Sequence, residues 1–182
     1  MFTLTRPSDA RIADVLRRQQ GQSFSYPEVG ATRTVPPAGY NVDVYRVPLG
    51  HGRATFAAAQ DAMRAWRTFP PELVRLCFPD QPIAVGTTVG VLSHAACLWS
   101  LHAARIVYVI DETAATATGA VERFGFAYGT LPDHAECGEE RFLVEWRRID
   151  DAVWYDILAF SRPRHLFAKL AYPYVRDRKS VV

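Results

Sequence analysis

Residues 85–160 read as one β-strand after another, and this succession most constrains the fold. Apolar side chains alternate there with polar or small ones, as expected when successive residues point to opposite faces of a sheet. The links between the segments are short, and short links join antiparallel neighbours rather than parallel ones. The sequence therefore predicts an antiparallel meander. Its predicted strands span residues 85–92, 98–111 (one strand or two), 120–131, 141–148 and 153–160.

Three helices are predicted outside the meander. Residues 8–20 begin with capping side chains, and residues 54–69 carry apolar side chains at helical spacing. A third helix is predicted to begin at Ser161, with Pro163 in its first turn, and to continue toward the C-terminus. Its amphipathic pattern gives one apolar stripe. That stripe consists of Leu166, Phe167, Leu170, Ala171 and Tyr174.

The remaining segments are assigned from local composition. Residues 22–39 are rich in Gly, Pro, Ser and Thr, so we expect them to run over the surface. Residues 40–49 alternate as a strand. Residues 73–78 are predicted to form a helical turn, and the Thr- and Ala-rich residues 113–118 to form a loop.

This order of elements predicts an α+β fold in which a curved antiparallel sheet grips a long C-terminal helix. The arrangement resembles the helix-grip, or START-like, fold, whose members hold a cavity between sheet and helix. A hot-dog-like fold is the alternative, although its long helix usually comes earlier in the chain. We expect one domain over residues 1–182, with residues 1–39 as an N-terminal helix and irregular extension and residues 40–178 as the helix-grip core.

One predicted hairpin has strongly unequal faces. Phe124, Phe126 and Tyr128 share one face of the first strand, whereas small residues occupy positions 125, 127 and 129 on the other. Something bulky must approach that small face, or the strand must bend there. On the second strand an apolar row continues the aromatic wall, and the opposite row is charged and expected to be solvated. The apolar row is Glu140, Phe142, Val144 and Trp146, and the opposite row is Glu139, Arg141, Leu143, Glu145 and Arg147.

The aromatic wall suggests a cavity for an apolar small molecule such as a lipid, an isoprenoid or a polyketide-like compound. Ligand sites combine many apolar groups with few polar ones, and Glu140 or Tyr40 would orient the polar end. The same rings could equally form a filled core, because protein interiors are close-packed. The predicted lining is Trp66, Phe124, Phe126, Tyr128, Phe142, Trp146, Leu166 and Leu170.

A hydrolase or cyclase using Glu140 and His134 as acid–base groups is a second hypothesis, since imidazole titrates near neutral pH. Both side chains also have simpler interpretations. Glu140 could reach water at a strand end or accept hydrogen bonds from loop backbone, and a loop histidine is usually solvated. Asp156 is expected on a solvent face. A structural or partner-binding role, with the N-terminal segment as the contact, is a third hypothesis.

Composition excludes several function classes. The net charge of +2 comes from scattered residues, so no basic stripe predicts nucleic-acid binding. No stretch of eighteen apolar residues predicts a membrane span, no signal peptide is recognised, and a cytoplasmic location is expected. Three well-separated cysteines indicate neither a disulfide framework nor a metal site. Nucleotide-binding, zinc-protease and nucleophile-elbow motifs are missing, so no cofactor is predicted.

Several long strings resemble one family. They are FGFAYGTLPDHAECGEERF, AFSRPRHLFAKLAYPYVR, LGHGRATFAAAQDAMRAW and VGTTVGV. They are similar to the uncharacterised protein family 0548, a domain of unknown function found in bacteria and plants, and the resemblance extends over about residues 26–176. The resemblance implies no catalytic residues and names no ligand.

Overall fold

The computed structural model describes residues 1–68, 74–77, 81–95 and 97–164. These ranges contain two α-helices, a 3-10 turn at Ala31–Arg33, and strands that join in one antiparallel sheet. The helices are α1 (Asp9–Gln19) and α2 (Gly52–Arg64). The strands are β1 (Phe2–Thr3), β2 (Asn41–His51), β3 (Val74–Cys77), β4 (Thr88–Ala95), β5 (Leu98–Thr116), β6 (Gly119–Thr130), β7 (Glu136–Arg147) and β8 (Ala152–Pro163).

The strand order across the sheet is β2-β8-β7-β6-β5-β4-β3, and β1 pairs with β5 off this path. Strands β3 to β8 are therefore neighbours in the order in which they occur in the chain. β2 comes back beside β8, with Val44 opposite Leu158. The predicted antiparallel α+β fold and its meander are confirmed.

The two faces of the sheet carry different side chains. On the aromatic face, Phe124, Phe126 and Phe142 belong to one buried cluster, which also includes Met63 of α2 and Trp66 from the turn that follows α2. The opposite face is called here the charged face, because Glu139, Arg141, Glu145 and Asp156 lie on it. Their shared side follows from strand alternation and from the β6–β7 and β7–β8 registers.

Helix α1 packs on the charged face at the β4 and β5 end of the sheet. The Ser8 side chain caps it by accepting a hydrogen bond from the Arg11 backbone N–H. Ile12 and Leu16 are buried with Leu101 in a second cluster. The predicted helix is confirmed, and it closes the sheet on this side.

Residues 24–34, called here the strap, also lie on the charged face. Their prediction as a surface segment is right for side chains such as Val29, which is 45% exposed, but wrong for Tyr26, which is 3% exposed, and for Thr32, which is fully buried. Ser25 donates its backbone N–H to the Thr130 carbonyl oxygen. Polar composition misled the prediction because the polar groups of the strap are hydrogen-bonded to the sheet rather than to water.

Two local predictions in the middle of the chain are wrong. Val74–Cys77, predicted as part of a helical turn, is strand β3 and pairs with β4. β5 runs to Thr116, so the predicted loop over 113–118 is largely strand. Threonine is β-branched and favours strands, and Thr113 to Thr116 find partners on β6.

The start of the predicted C-terminal helix is also wrong. Ser161 pairs with Asn41 of β2 and with Gly138 of β7, and β8 continues to Pro163. These residues are strand because β2 pairs with β8 as far as Ser161 and β7 pairs with it as far as Pro163. The rest of the predicted helix, with Leu166 and Leu170, lies outside the described residues. Among the helices that are described, none has both the length and the apolar character needed to cross a bilayer.

Candidate functional site

The aromatic face is built from paired residues of β6 and β7. Phe126 lies opposite Phe142, and Tyr128 lies opposite Glu140. Since directly opposite residues of an antiparallel pair share a face, this register confirms that the two predicted rows align. The ring centroids of Phe126 and Phe142 are 5.2 Å apart, and those of Tyr128 and Phe142 are 5.4 Å apart. The rows form a continuous aromatic wall.

Helix α2 and the turn that follows it cover one end of this wall. Trp66 packs edge-on against Phe126, with ring centroids 5.1 Å apart, and Phe56 packs against Trp146 at 5.9 Å. The Trp66 indole N–H donates to the Gln81 carbonyl oxygen at 3.0 Å, which satisfies the buried polar atom of that side chain. This end of the wall is therefore a filled core.

A polar group interrupts the wall at its other end. The Tyr128 hydroxyl donates to Glu140 Oε2 at 2.6 Å. Burial raises the pKa of the Tyr128 phenol well above its usual value, and the negative charge of Glu140 raises it further. Tyr128 therefore stays protonated and remains a donor at neutral pH. The pair sets a carboxylate into an otherwise apolar surface.

Tyr155 adds a second phenol to the same face. It lies opposite Val144 in the β7–β8 register, and its ring packs against the aromatic cluster. Its hydroxyl oxygen is buried without a hydrogen-bond partner among the described residues. Burial raises the pKa of this phenol, and Glu140 is close enough to raise it further. Sequence reasoning missed Tyr155, although its alternation with Val153 and Ile157 placed it on the apolar face.

Tyr40 is not part of this group. Its ring packs against Phe160 with a centroid distance of 5.0 Å, and its hydroxyl donates to Glu28 at 2.8 Å. Phe160 is opposite Glu139, so both belong to the charged face. The structure thus separates Tyr40 from the aromatic wall by the thickness of the sheet.

The second predicted acid–base group, His134, lies with another histidine. Its ring centroid is 4.6 Å from that of His102, and its Nδ1 accepts the Glu136 backbone N–H at 3.0 Å. Glu140 is instead joined to Tyr128. The structure therefore brings each of the two candidates to a different aromatic partner, and a joint acid–base role stays a prediction.

The charged face holds a buried carboxylate that the sequence did not reveal. Glu139 is 2% exposed and accepts hydrogen bonds from the Tyr26 hydroxyl at 2.7 Å and from the Gly30 N–H at 2.7 Å. It also accepts from the Thr32 N–H at 3.0 Å and from the Thr32 hydroxyl. Four donors of the strap thus converge on one carboxylate, which fixes the strap to β7.

One signal for this contact was present in the sequence. The small face of β6 predicted a bulky neighbour, and the Tyr26 ring lies directly over Gly129, where any Cβ would collide with it. That prediction is confirmed. The identity of the neighbour was not predictable, because Tyr26 and Gly129 are far apart in the chain.

Ion pairs occupy the rest of the charged face. Asp156 accepts from Arg141 at 2.6 Å, and Glu145 accepts from Arg46 and Arg123, each at 2.9 Å. Burial alone would raise the pKa of Glu145, but the bonds from the two arginines outweigh it and lower the pKa. The prediction of a solvated face is wrong, as is a solvent position for Asp156, which is 6% exposed. Arginine side chains and the strap cover these carboxylates.

The described residues contain no group of three or more His, Cys, Asp or Glu side chains that could hold a metal ion. Cys77 and Cys137 are buried and Cys97 is exposed, each as a free thiol.

Comparison with known proteins identifies relatives along nearly the whole chain. The family model described as "Domain of unknown function (DUF1990)" matches residues 25–182. A UPF0548 protein of Dictyostelium discoideum is 35% identical over 192 residues, covering 97% of this chain and 88% of the relative. A UPF0548 protein of Deinococcus radiodurans is 34% identical over 191 residues, covering 96% and 89%.

Among solved structures, a point mutant of norcoclaurine synthase from Thalictrum flavum in complex with a transition-state analogue aligns with a TM-score of 0.39. Its sequence identity is 11%, over 75% of this chain and 86% of that one. The two sequence relatives and the matched family model agree with the strings that first suggested the family. The chain therefore belongs to the UPF0548 family, a family of uncharacterised proteins.

Proposed function

We propose that this protein binds an apolar small molecule on the aromatic face of its sheet, at the end where Tyr128 and Glu140 lie. The observation that supports this proposal most directly is the hydrogen-bonded pair of Tyr128 and Glu140. This pair lies beside the ring of Phe142 in an apolar wall. Small-molecule sites are mostly apolar surfaces with a few convergent polar groups that orient the ligand. The pair supplies the orienting groups, and the wall supplies the apolar area.

The position of α2 supports a site at this end rather than along the whole wall. Phe56 of α2 contacts Trp146, and Trp66 from the turn after α2 contacts Phe126. Tyr128 lies beyond Phe126 on β6 and is opposite Glu140. Both rings therefore contact wall residues that lie on the Trp146 side of Tyr128.

In the helix-grip arrangement that we propose, the apolar stripe of the sequence after Arg164 covers this end of the face. Such a helix begins after β8, since Pro163 still pairs with Glu136 of β7. The ligand then lies between the stripe and the sheet. Its lining includes Leu166 and Leu170 from the stripe and Tyr128 and Phe142 from the sheet.

Native mass spectrometry of the protein purified from its own host tests this proposal. We expect a population that carries one co-purifying small molecule, which is lost on denaturation. A filled core is the competing outcome, and it gives only the mass of the chain under the same gentle conditions.

A blocking variant makes this test specific to the site. Ala159 lies opposite Glu140, so Ala159→Phe places a ring where the ligand is proposed to bind. Val44, which is 69% exposed on the charged face, provides the matched control Val44→Phe. We expect Ala159→Phe to lose the bound mass and Val44→Phe to keep it, with both variants folded by circular dichroism. Equal retention by both variants would contradict the site.

A further inference from the structure

The strand β2 forms one edge of the sheet. It pairs with β8 on one side, and among the described residues no strand pairs with its other side. An edge strand presents a row of backbone N–H and C=O groups that a strand of another molecule can use for pairing. Residues 41–47 each carry a backbone N–H, whereas Pro48 has none, and the register with β8 shifts between Pro48 and Gly50. Residues 41–47 are therefore the part of this edge that suits a further strand.

The side chains of residues 41–47 favour pairing over contact with water. Their sequence is NVDVYRV, and valine and tyrosine are residues that favour strands. Val42 is 42% exposed and Val44 is 69% exposed, both on the charged face. Natural edge strands are often protected by lysine, proline or a bulge, and residues 41–47 contain none of these. The segment is thus an apolar edge without the usual protection.

The symmetry of the segment points to a second copy of this chain as its partner. When two copies of one strand pair antiparallel about a two-fold axis perpendicular to the sheet, each residue lies opposite one on the same face. An axis at Val44 sets residue 41 opposite residue 47 and residue 42 opposite residue 46, so the pairing uses the whole segment. Val44, which has the most exposed apolar side chain of β2, then packs against its own copy.

The charges of the segment agree with this register. Asp43 and Arg46 are its two charged residues. With the axis at Val44, Asp43 lies opposite Tyr45 of the second copy and Arg46 lies opposite Val42, so no like charges meet. An axis at Asp43 or at Arg46 would set two like charges directly opposite each other, which destabilises a strand pair. An axis at Tyr45 would set residue 42 opposite position 48, which has no N–H.

We infer that the protein forms a two-fold dimer in which β2 of one copy pairs antiparallel with β2 of the other, with the axis at Val44. Arg46 does not oppose this pairing, because its charge is balanced within its own chain by Glu145 at 2.9 Å and by Asp156 at 3.7 Å. The segment supplies far fewer residues than the roughly 20–30 a side of a stable interface. The dimer is therefore weak, and we expect a dissociation constant of about 10–100 µM.

Disulfide cross-linking tests the register. Directly opposite residues have Cα atoms about 4.5–5.5 Å apart, within the range of about 4.4–6.8 Å that a disulfide spans. Val44→Cys, in a Cys97→Ser background that removes the exposed thiol, should therefore give a covalent dimer under mild oxidation. Val42→Cys is the matched control on the same strand and face. Its two copies would lie about 13 Å apart, so we expect cross-linking at least about tenfold slower.

The oligomeric state measures the dimer directly. Sedimentation velocity of the full chain between about 5 and 500 µM should show monomer converting to dimer. Val44→Lys sets two ammonium groups near the axis and removes the valine contact, so the dissociation constant should rise at least about tenfold. Val85→Lys, at a side chain that is 68% exposed outside β2, should leave it unchanged. Circular dichroism confirms that both variants are folded.

Three results would overturn the inference. They are a monomer at every concentration, a dimer that Val44→Lys does not weaken, and equal cross-linking of Val42→Cys and Val44→Cys. A foreign peptide bound to monomers, seen as added mass in native mass spectrometry and lost in Val44→Lys, would overturn it as well, because the edge would then serve another partner. The ligand proposed for the aromatic face is tested separately and does not depend on these results.

Discussion

At the scale of single residues, Glu139 is the clearest case of a side chain whose neighbours determine its role. Four donors from three strap residues converge on its carboxylate, and none of them is near it in the sequence. A carboxylate is an acceptor at both oxygens, so it can satisfy all of them. A glutamine in its place would present an N–H group to donors.

We therefore expect Glu139→Gln to lower the free energy of unfolding by about 2–4 kcal/mol, because buried donors lose their acceptor. Chemical denaturation with urea measures this change. Glu112→Gln is the control, since Glu112 is 54% exposed and its contact with Arg123 spans 3.5 Å. It should change stability by less than about 0.5 kcal/mol. Equal effects of the two variants would show that the strap is not fixed by Glu139.

The buried phenols predict a loss of stability in alkaline solution. Burial raises the pKa of Tyr26, and the neighbouring Glu139 charge raises it further. Above about pH 10 the unfolded chain releases this proton while the folded chain keeps it, so the unfolded state is favoured. The contribution is complete below the unfolded pKa and is lost as pH rises toward the folded pKa.

Unfolding by urea at several pH values above about 10 measures this dependence. Each such tyrosine contributes a slope of about 1.4 kcal/mol per pH unit. Tyr26→Phe should make the slope shallower by that amount, even though it weakens the fold at neutral pH by removing a bond to Glu139. An unchanged slope in Tyr26→Phe would contradict the assignment.

At the scale of elements, the contact between the strap and β6 depends on the absence of a side chain. The Tyr26 ring lies where a Cβ of residue 129 would be. The ring cannot move aside easily, because it is 3% exposed and packs edge-on against Phe160 at 5.6 Å. Gly129→Ala should therefore cost about 1–3 kcal/mol of stability through overpacking.

A double-mutant cycle with Tyr26→Ala tests whether contact with the Tyr26 ring is what makes Gly129→Ala destabilising. If the collision is with Tyr26, the two changes together should cost less than the sum of the single changes, by about 1 kcal/mol or more. Gly21→Ala is the control, since a Cβ there would meet no atom within 4 Å. Strict additivity of Gly129→Ala and Tyr26→Ala would place the strain elsewhere.

Sequence patterns predicted the elements whose signals are local. Helix α1 carries its own cap at Ser8, and the hairpin of β6 and β7 has an alternation that sets which residues share a face. The patterns did not tell which face would be covered. The charged row of β7 was expected in water, yet Thr32 of the strap donates to Glu139 and accepts from Arg141, and these contacts join residues distant in sequence.

The segments whose secondary structure was predicted wrongly were also decided by contacts with residues distant in sequence. Ser161 and Pro163 resemble a helix start, but pairing with β2 and β7 makes them strand. Tertiary pairing overrides weak local preference in such segments. For the candidate site, the aromatic wall and Glu140 were predictable from alternation, whereas the link of Glu140 to Tyr128 required the register of two strands.

At the scale of the whole molecule, one sheet separates two apolar clusters. Ile12 of α1 and Met63 of α2 are each 1% exposed, and they lie in different clusters on opposite faces. Helices packed on the two faces of a sheet are about 20 Å apart, too far for direct contact. Both clusters nevertheless include residues of β4 and β5, so each helix stabilises the same strands.

This arrangement predicts that mutations in the two clusters change stability independently, although the whole domain unfolds in one cooperative transition. Ile12→Ala and Met63→Ala should each cost about 2–4 kcal/mol, and the double variant should cost their sum within about 0.5 kcal/mol. Val35→Ala, at a side chain that is 79% exposed, is the control and should be nearly neutral.

Because the strands are shared, far-ultraviolet circular dichroism and tryptophan fluorescence should report one coincident transition. Separate transitions in Ile12→Ala would mean that the α1 side unfolds on its own, and that the sheet does not couple its two faces.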